Sequence, residues 1–60
     1  MTPFAIKSLP DDDLLLFYNA LRETIEIFDN DGQFSARIGV DRSYAEELRV
    51  ALGVELDKRP

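Results

Sequence analysis

Apolar side chains recur every three or four residues along the first half of the chain. The pattern follows three consecutive acidic residues, Asp11–Asp13, which would oppose the positive end of a helix dipole. At 100° per residue, the apolar positions stay within about 40° of Leu14 and share one helix face. The sequence predicts a helix capped by Ser8 or Asp11 and ended by the polar turn Asp29–Gly32. Its predicted core face consists of Leu14, Tyr18, Leu21, Ile25 and Phe28, and Phe17 widens it.

The segment from Gln33 to Val40 alternates with period two, which is typical of a strand. Its apolar members are Phe34, Ala36, Ile38 and Val40. Two interpretations stay open. In the first, the preceding helix is long and this segment is an extended link. In the second, residues 24–40 form a β-hairpin across Asp31 and Gly32, in which Glu26 faces Arg37.

A second helix is predicted from about Ser43, where Ser43 and Glu46 have the spacing of a capping box. Its predicted core face consists of Ala45, Leu48, Leu52 and Leu56. The predicted fold is therefore mainly α: one domain, residues 1–60, with two antiparallel helices and extended N-terminal and linking segments. The alternative is an α+β fold with the β-hairpin between the two helices.

Composition restricts the classes of function. The chain has no Cys and no His, so the commonest general base, the thiol nucleophile and the strongest zinc ligands are missing. We therefore expect a protein that is not an enzyme and has neither cofactor nor small-molecule substrate. The net charge of -5 disfavours nucleic acid and favours a basic partner. Short apolar runs and an N-terminus unlike a signal peptide predict a cytoplasmic chain with no membrane partner.

The turn Asp29–Gly32 resembles the opening of an EF-hand calcium loop. With Asp29 as the first position, Phe34 stands where the loop needs Gly and Val40 where it needs a bidentate Glu. With Gly32 as the sixth position, the first ligand becomes Ile27. Neither alignment completes a coordination shell, so we predict a polar turn and no metal site.

Two short motifs resemble the ribbon-helix-helix family of DNA-binding regulators. Residues 6–14 are similar to the family's entry from strand to first helix, and residues 39–48 to the start of its second helix. The resemblance implies an intertwined dimer whose paired strands, here residues 4–7, enter the major groove. Residues 35–43 also resemble the turn of a helix-turn-helix. A looser resemblance, of residues 9–15 and the second capped helix, is to small helical-hairpin inhibitors of bacterial sensor kinases.

Each predicted helix carries a second apolar stripe opposite its core face. On the first helix this stripe lies roughly 200–240° from Leu14. Two helices need only one apolar face each, so the second stripe needs a cover. Either residues of the irregular segments provide it, namely Phe4, Ile6, Phe34 and Ile38, or a partner does.

We predict that a partner covers the second stripe. The chain is then a non-catalytic protein–protein binding module, regulatory or inhibitory, which binds a protein partner or a second copy. The alternative is a dimeric DNA-binding regulator of ribbon-helix-helix type. The predicted partner-binding residues are Leu16, Ala20, Glu23, Glu26, Ile27, Val50 and Val54.

Overall fold

The computed structural model describes residues 6–59, and this range contains three helices. Helix α1 spans Asp11–Ile27, α2 spans Asp31–Ile38 and α3 spans Arg42–Lys58. The mainly α class is confirmed. The β-hairpin alternative is wrong, because residues 24–40 contain no strand. Of the N-terminal segment predicted to be extended, residues 1–5 lie outside the described range.

Helix α1 begins and ends close to the predicted boundaries. Its N-cap is Pro10, in an extended conformation with φ -60° and ψ 156°, and no side chain caps it. The predicted caps, Ser8 and Asp11, are therefore wrong. The Pro10 carbonyl accepts the first helical hydrogen bond, from the Leu14 N–H at 2.9 Å. Acidic residues in the first turn favour this start by opposing the helix dipole.

Helix α2 replaces the extended link that the alternating pattern predicts. The Asn30 side chain accepts a hydrogen bond from the Gln33 N–H at 2.9 Å. At the other end Gly39 adopts φ 97°, and its N–H donates to the Ser35 carbonyl at 2.9 Å. Asn at the start and a left-handed Gly after the end are strong helix boundaries. Of the four alternating apolar residues, only Phe34 is buried.

Helix α3 starts one residue before the predicted position, and its N-cap is Asp41. No side chain caps it, so the predicted capping box of Ser43 and Glu46 is wrong. The Asp41 carboxylate instead accepts a hydrogen bond from the Ser35 hydroxyl at 3.3 Å, which joins the start of α3 to α2.

Helices α1 and α3 run antiparallel and bury two apolar clusters. Leu14, near the start of α1, packs with Ile6 and with Leu52, which is in the second half of α3. Near the opposite end of α1, Ile25 packs with Phe34 of α2 and Ala45 of α3. The predicted core faces of both long helices are confirmed: their members are buried or half-buried, namely Leu14, Tyr18, Leu21, Ile25, Phe28, Ala45, Leu48, Leu52 and Leu56.

Gly53 explains how closely α1 and α3 approach. A Cβ atom added to Gly53 would lie 3.2 Å from the Tyr18 ring, tighter than most real contacts. The absence of a side chain therefore lets the Tyr18 ring lie against the backbone of α3.

Two arginines tie the ends of α3 to the ends of α1. At the start of α3, Arg42 donates to the Phe28 carbonyl at 2.8 Å and to the Ile25 carbonyl at 3.2 Å. These carbonyls belong to the last turn and the C-cap of α1, where helical partners are lacking.

Beyond the end of α3, Arg59 contacts the opposite end of α1. Its guanidinium donates to the Leu9 carbonyl at 2.7 Å, the Asp11 carboxylate at 2.8 Å and the Lys7 carbonyl at 3.2 Å. Its Nε atom donates to Glu55 at 3.2 Å. The hydrogen bond to Asp11 raises the pKa of Arg59, against an opposing effect of desolvation.

Candidate functional site

An open apolar groove of about 400 Å³ lies on one flank of the α1–α3 pair. Its lining comes from α1, from α3 and from the turn before α1. These three parts are called the wall, the floor and the end of the groove. Its lining residues are Ile6, Leu9, Phe17, Ala20, Leu21, Thr24, Leu48 and Leu52. This set of residues is called the groove below.

The α1 wall of the groove follows from helix geometry. Phe17, Ala20 and Thr24 lie on successive turns, between about 60° and 120° to one side of the direction of Leu14. Leu48 and Leu52 are one turn apart on α3 and form the floor. The end formed by Ile6 and Leu9 is a turn, in which the Leu9 N–H donates to the Ile6 carbonyl at 3.2 Å.

The groove offers almost no polar group to a ligand. Thr24 is the one polar side chain among the described residues that line it, and the Thr24 hydroxyl already donates to the Ala20 carbonyl at 2.8 Å. No charged side chain of residues 6–59 lines it. Because neither an acid nor a base faces this space, the arrangement suits an apolar surface better than a polar substrate.

The predicted partner-binding residues are all exposed. Leu16 is 62% and Ile27 70% exposed on α1, and Val50 is 53% and Val54 50% exposed on α3. Ala20, Glu23 and Glu26 are exposed too, and Ala20 also lines the groove.

In the alternative explanation, residues of the irregular segments cover these stripes. The described ones among them do not lie on the stripes. Ile6 and Phe34 belong to the two core clusters. Ile38 is itself 42% exposed. Phe4 lies outside the described residues. Within residues 6–59, the second stripe of α1 therefore remains uncovered.

The predicted residues do not form one continuous surface. The core faces of α1 and α3 point towards each other, so residues opposite those faces lie on opposite outer sides of the pair. Leu16 and Ile27 are therefore separated from Val50 and Val54. Glu26 lies about 120° from Leu14 on the flank away from Ala20. Only the α1 set of Leu16, Ala20 and Ile27 adjoins the groove.

Sequence reasoning missed the groove itself. Phe17, predicted to widen the core face, is 47% exposed and forms part of the wall. Leu21, Leu48 and Leu52 are core residues as predicted, and their outer edges also line the groove. The sequence signal that could have indicated the groove is the α1 flank formed by Phe17, Ala20 and Thr24. This flank lies between the core face of the helix and the opposite face.

The acidic turn before α2 is occupied by helix capping. Asn30 holds the Gln33 N–H, and Asp31 lies 3.4 Å from the Arg42 guanidinium. Residues 6–59 contain no cluster of three or more side chains that could together bind a metal ion. In the same range, no helix has the length and apolarity needed to cross a bilayer.

Comparisons with protein-family models, curated proteins and solved structures find no match to this chain. The groove and the surface beside it are therefore interpreted from their own chemistry.

Proposed function

We propose that this chain is a non-catalytic protein–protein binding module of the cytoplasm, with a regulatory or inhibitory role. Its groove holds an apolar segment of a partner protein. The observation that carries the proposal is the junction of the groove with the exposed α1 stripe of Leu16, Ala20 and Ile27.

The apolar surface at this junction is larger than the groove alone. Ala20 belongs both to the groove lining and to the exposed stripe, so the two surfaces meet there. A contiguous exposed apolar surface marks a site of protein interaction more often than scattered exposed apolar residues do.

The chemistry of the groove supports a protein segment over a reacting substrate. Small-molecule sites combine an apolar lining with a few free polar groups that fix orientation. Here the Thr24 hydroxyl is already bonded, and within the described part of the chain no titratable side chain lines the space. A partner's apolar side chains need no such groups, because burial alone favours their binding.

The test compares two substitutions at neighbouring exposed positions of α1. Ala20→Gln places a long polar side chain at the edge of the groove. Asn19→Gln is the matched control, because Asn19 is exposed about 140° from Leu14 on the other flank. Neither change alters the net charge, and Gln has good helix propensity.

Each tagged protein is used to capture partners from extracts of its native host, and circular dichroism checks that both variants are folded. We expect one discrete partner with the unmodified chain and with Asn19→Gln, and loss of that partner with Ala20→Gln. Capture of the same partner by both variants, or of none by any protein, would overturn the proposal.

A further inference from the structure

We infer that the segment held by the groove is an amphipathic helix whose apolar stripe is flanked by Lys or Arg. This inference rests on the proposed function and specifies its partner. It is carried by the dimensions of the groove and by the charges of α1 beside the groove and the adjoining stripe.

The length of the groove matches a short stretch of helix. From Phe17 to Thr24 the α1 wall extends about 10 Å, at 1.5 Å per residue. Apolar anchors at positions i, i+3, i+4 and i+7 of a docked helix cover about the same distance. Ala20 lies mid-way along the wall, and its small side chain lets a second helix approach α1 closely.

The charges of α1 favour basic residues on that helix. Helix α1 contains five acidic residues and one cation, Arg22. Arg22 lies on the flank away from the groove, about 80° from Leu14. Asp13 is one turn before Phe17 on the groove side. Glu23, about 180° from Leu14, borders the stripe of Leu16 and Ile27 on the side away from the groove.

Neither carboxylate has a close ion-pair partner among the described residues. Asp13 forms no ion pair within residues 6–59, and Glu23 has only a contact of 4.0 Å with Arg22. A helix with Lys or Arg beside its apolar stripe would place cations near both carboxylates. Opposite charges across an interface raise association rates and reject partners of the wrong sign.

Charge also argues against a second copy of this chain as the occupant. A second α1 would bring the same acidic excess to the interface, and the whole chain carries a net charge of -5. A small apolar molecule fits less well, because the groove is open and such ligands usually have most of their surface buried.

The experiment uses three synthetic peptides of about 18 residues, long enough to populate a helix. The first has a leucine stripe flanked by Lys. The second has the same stripe flanked by Glu. The third has the composition of the first, with its leucines redistributed around the helix. Affinities for the full chain are measured by fluorescence anisotropy at low and high salt.

We expect the Lys-flanked peptide to bind at least about tenfold more tightly than the Glu-flanked one at low salt, and this ratio to shrink at high salt. Glu23→Lys should weaken binding of the Lys-flanked peptide by about two- to fivefold, as exposed ion pairs do. Glu26→Lys makes the same charge change on the other flank and should have a smaller effect. Ala20→Gln should weaken binding of both striped peptides.

The possible failures are distinguishable. Equal affinity for the Lys- and Glu-flanked peptides would overturn the charge preference and leave the binding module intact. Equal affinity for the redistributed peptide, or no binding of any peptide, would overturn the helical partner, while the partner-capture comparison still decides the proposed function. Self-association in sedimentation, abolished by Ala20→Gln, would identify a second copy as the occupant and overturn the inference.

Discussion

Replacing Leu14 and Leu16 by alanine, one at a time, tests which face of α1 the fold needs. Leu14 is fully buried beside Ile6 and Leu52, whereas Leu16 is 62% exposed. Leu14→Ala removes three buried carbons, which at about 0.8 kcal/mol each is roughly 2.4 kcal/mol before any cavity is counted. With the cavity, the expected loss of unfolding free energy is about 2–5 kcal/mol. Leu16→Ala should change it by under about 0.5 kcal/mol.

The assay is urea unfolding followed by circular dichroism. A chain of this size has a total stability of roughly 3–9 kcal/mol, so Leu14→Ala could leave little folded protein. Leu14→Met keeps the side-chain volume, should cost under about 1.5 kcal/mol, and stays measurable. Measurements at two protein concentrations reveal any contribution of self-association. Equal losses for the two alanine variants, or a larger loss for Leu16→Ala, would refute the assignment of the buried face.

Four further outcomes are expected. Arg42→Met should lower the unfolding free energy by about 1–3 kcal/mol, because the Ile25 and Phe28 carbonyls lose a charged donor; a urea midpoint within error of the parent would contradict this. Gly39→Ala should cost about 1–2 kcal/mol by the same measurement and Gly39→Asn less, since φ is 97° there; equal stability of the two variants would argue against this helix end. Millimolar calcium should leave the melting temperature unchanged, because the turn Asp29–Gly32 lacks ligands at both of its possible frames; a clear rise would refute this. Titration with random duplex DNA should detect no binding at physiological salt, whereas tight binding with a steep salt dependence would favour the ribbon-helix-helix alternative.

The two long helices could be predicted because each repeats its apolar stripe over several turns. From Leu14 to Phe28 the chain has five apolar residues at helical spacing. A strand is too short to produce a pattern of that length. The ends of the helices were harder to predict from the sequence. The N-caps are Pro10 and Asp41, and neither makes a side-chain hydrogen bond to its helix. The caps expected from the sequence were Ser8 or Asp11 for the first helix and Ser43 for the second.

Helix α2 was misread because eight residues fit either period. The alternation of Phe34, Ala36 and Ile38 suggests two faces, yet only Phe34 is needed to fill the space beside Ile25 and Ala45. The decisive residues lie outside the pattern. Asn30 and Gly39 are suited to the start and end of a helix, and their local hydrogen bonds prevail over a short alternation.

The groove could not be predicted from periodicity, because a stripe distinguishes only the face of a helix that is buried from the face opposite. Phe17, Ala20 and Thr24 lie between these two faces. Whether such a flank is covered depends on where the other elements pack. Here α2 packs against Ile25 and Ala45, and the turn at Ile6 packs near Leu14, so the flank between them stays open.

The arginine contacts at the two ends of α3 connect the stability of the fold to the shape of the groove. A domain of this size without Cys or His lacks disulfides and the commonest metal ligands. Polar contacts between its helices therefore contribute a larger share of its stability. Arg59 bonds to the Lys7 and Leu9 carbonyls, and the turn so held supplies Ile6 and Leu9 to the end of the groove. An arginine guanidinium is charged throughout the neutral range even at its ordinary pKa. The raised pKa of Arg59 moves the loss of its stabilising charge still further above that range. The end of the groove is therefore held by a cation that physiological pH changes do not remove, and binding there should depend on the partner's charges and not on titration of this contact.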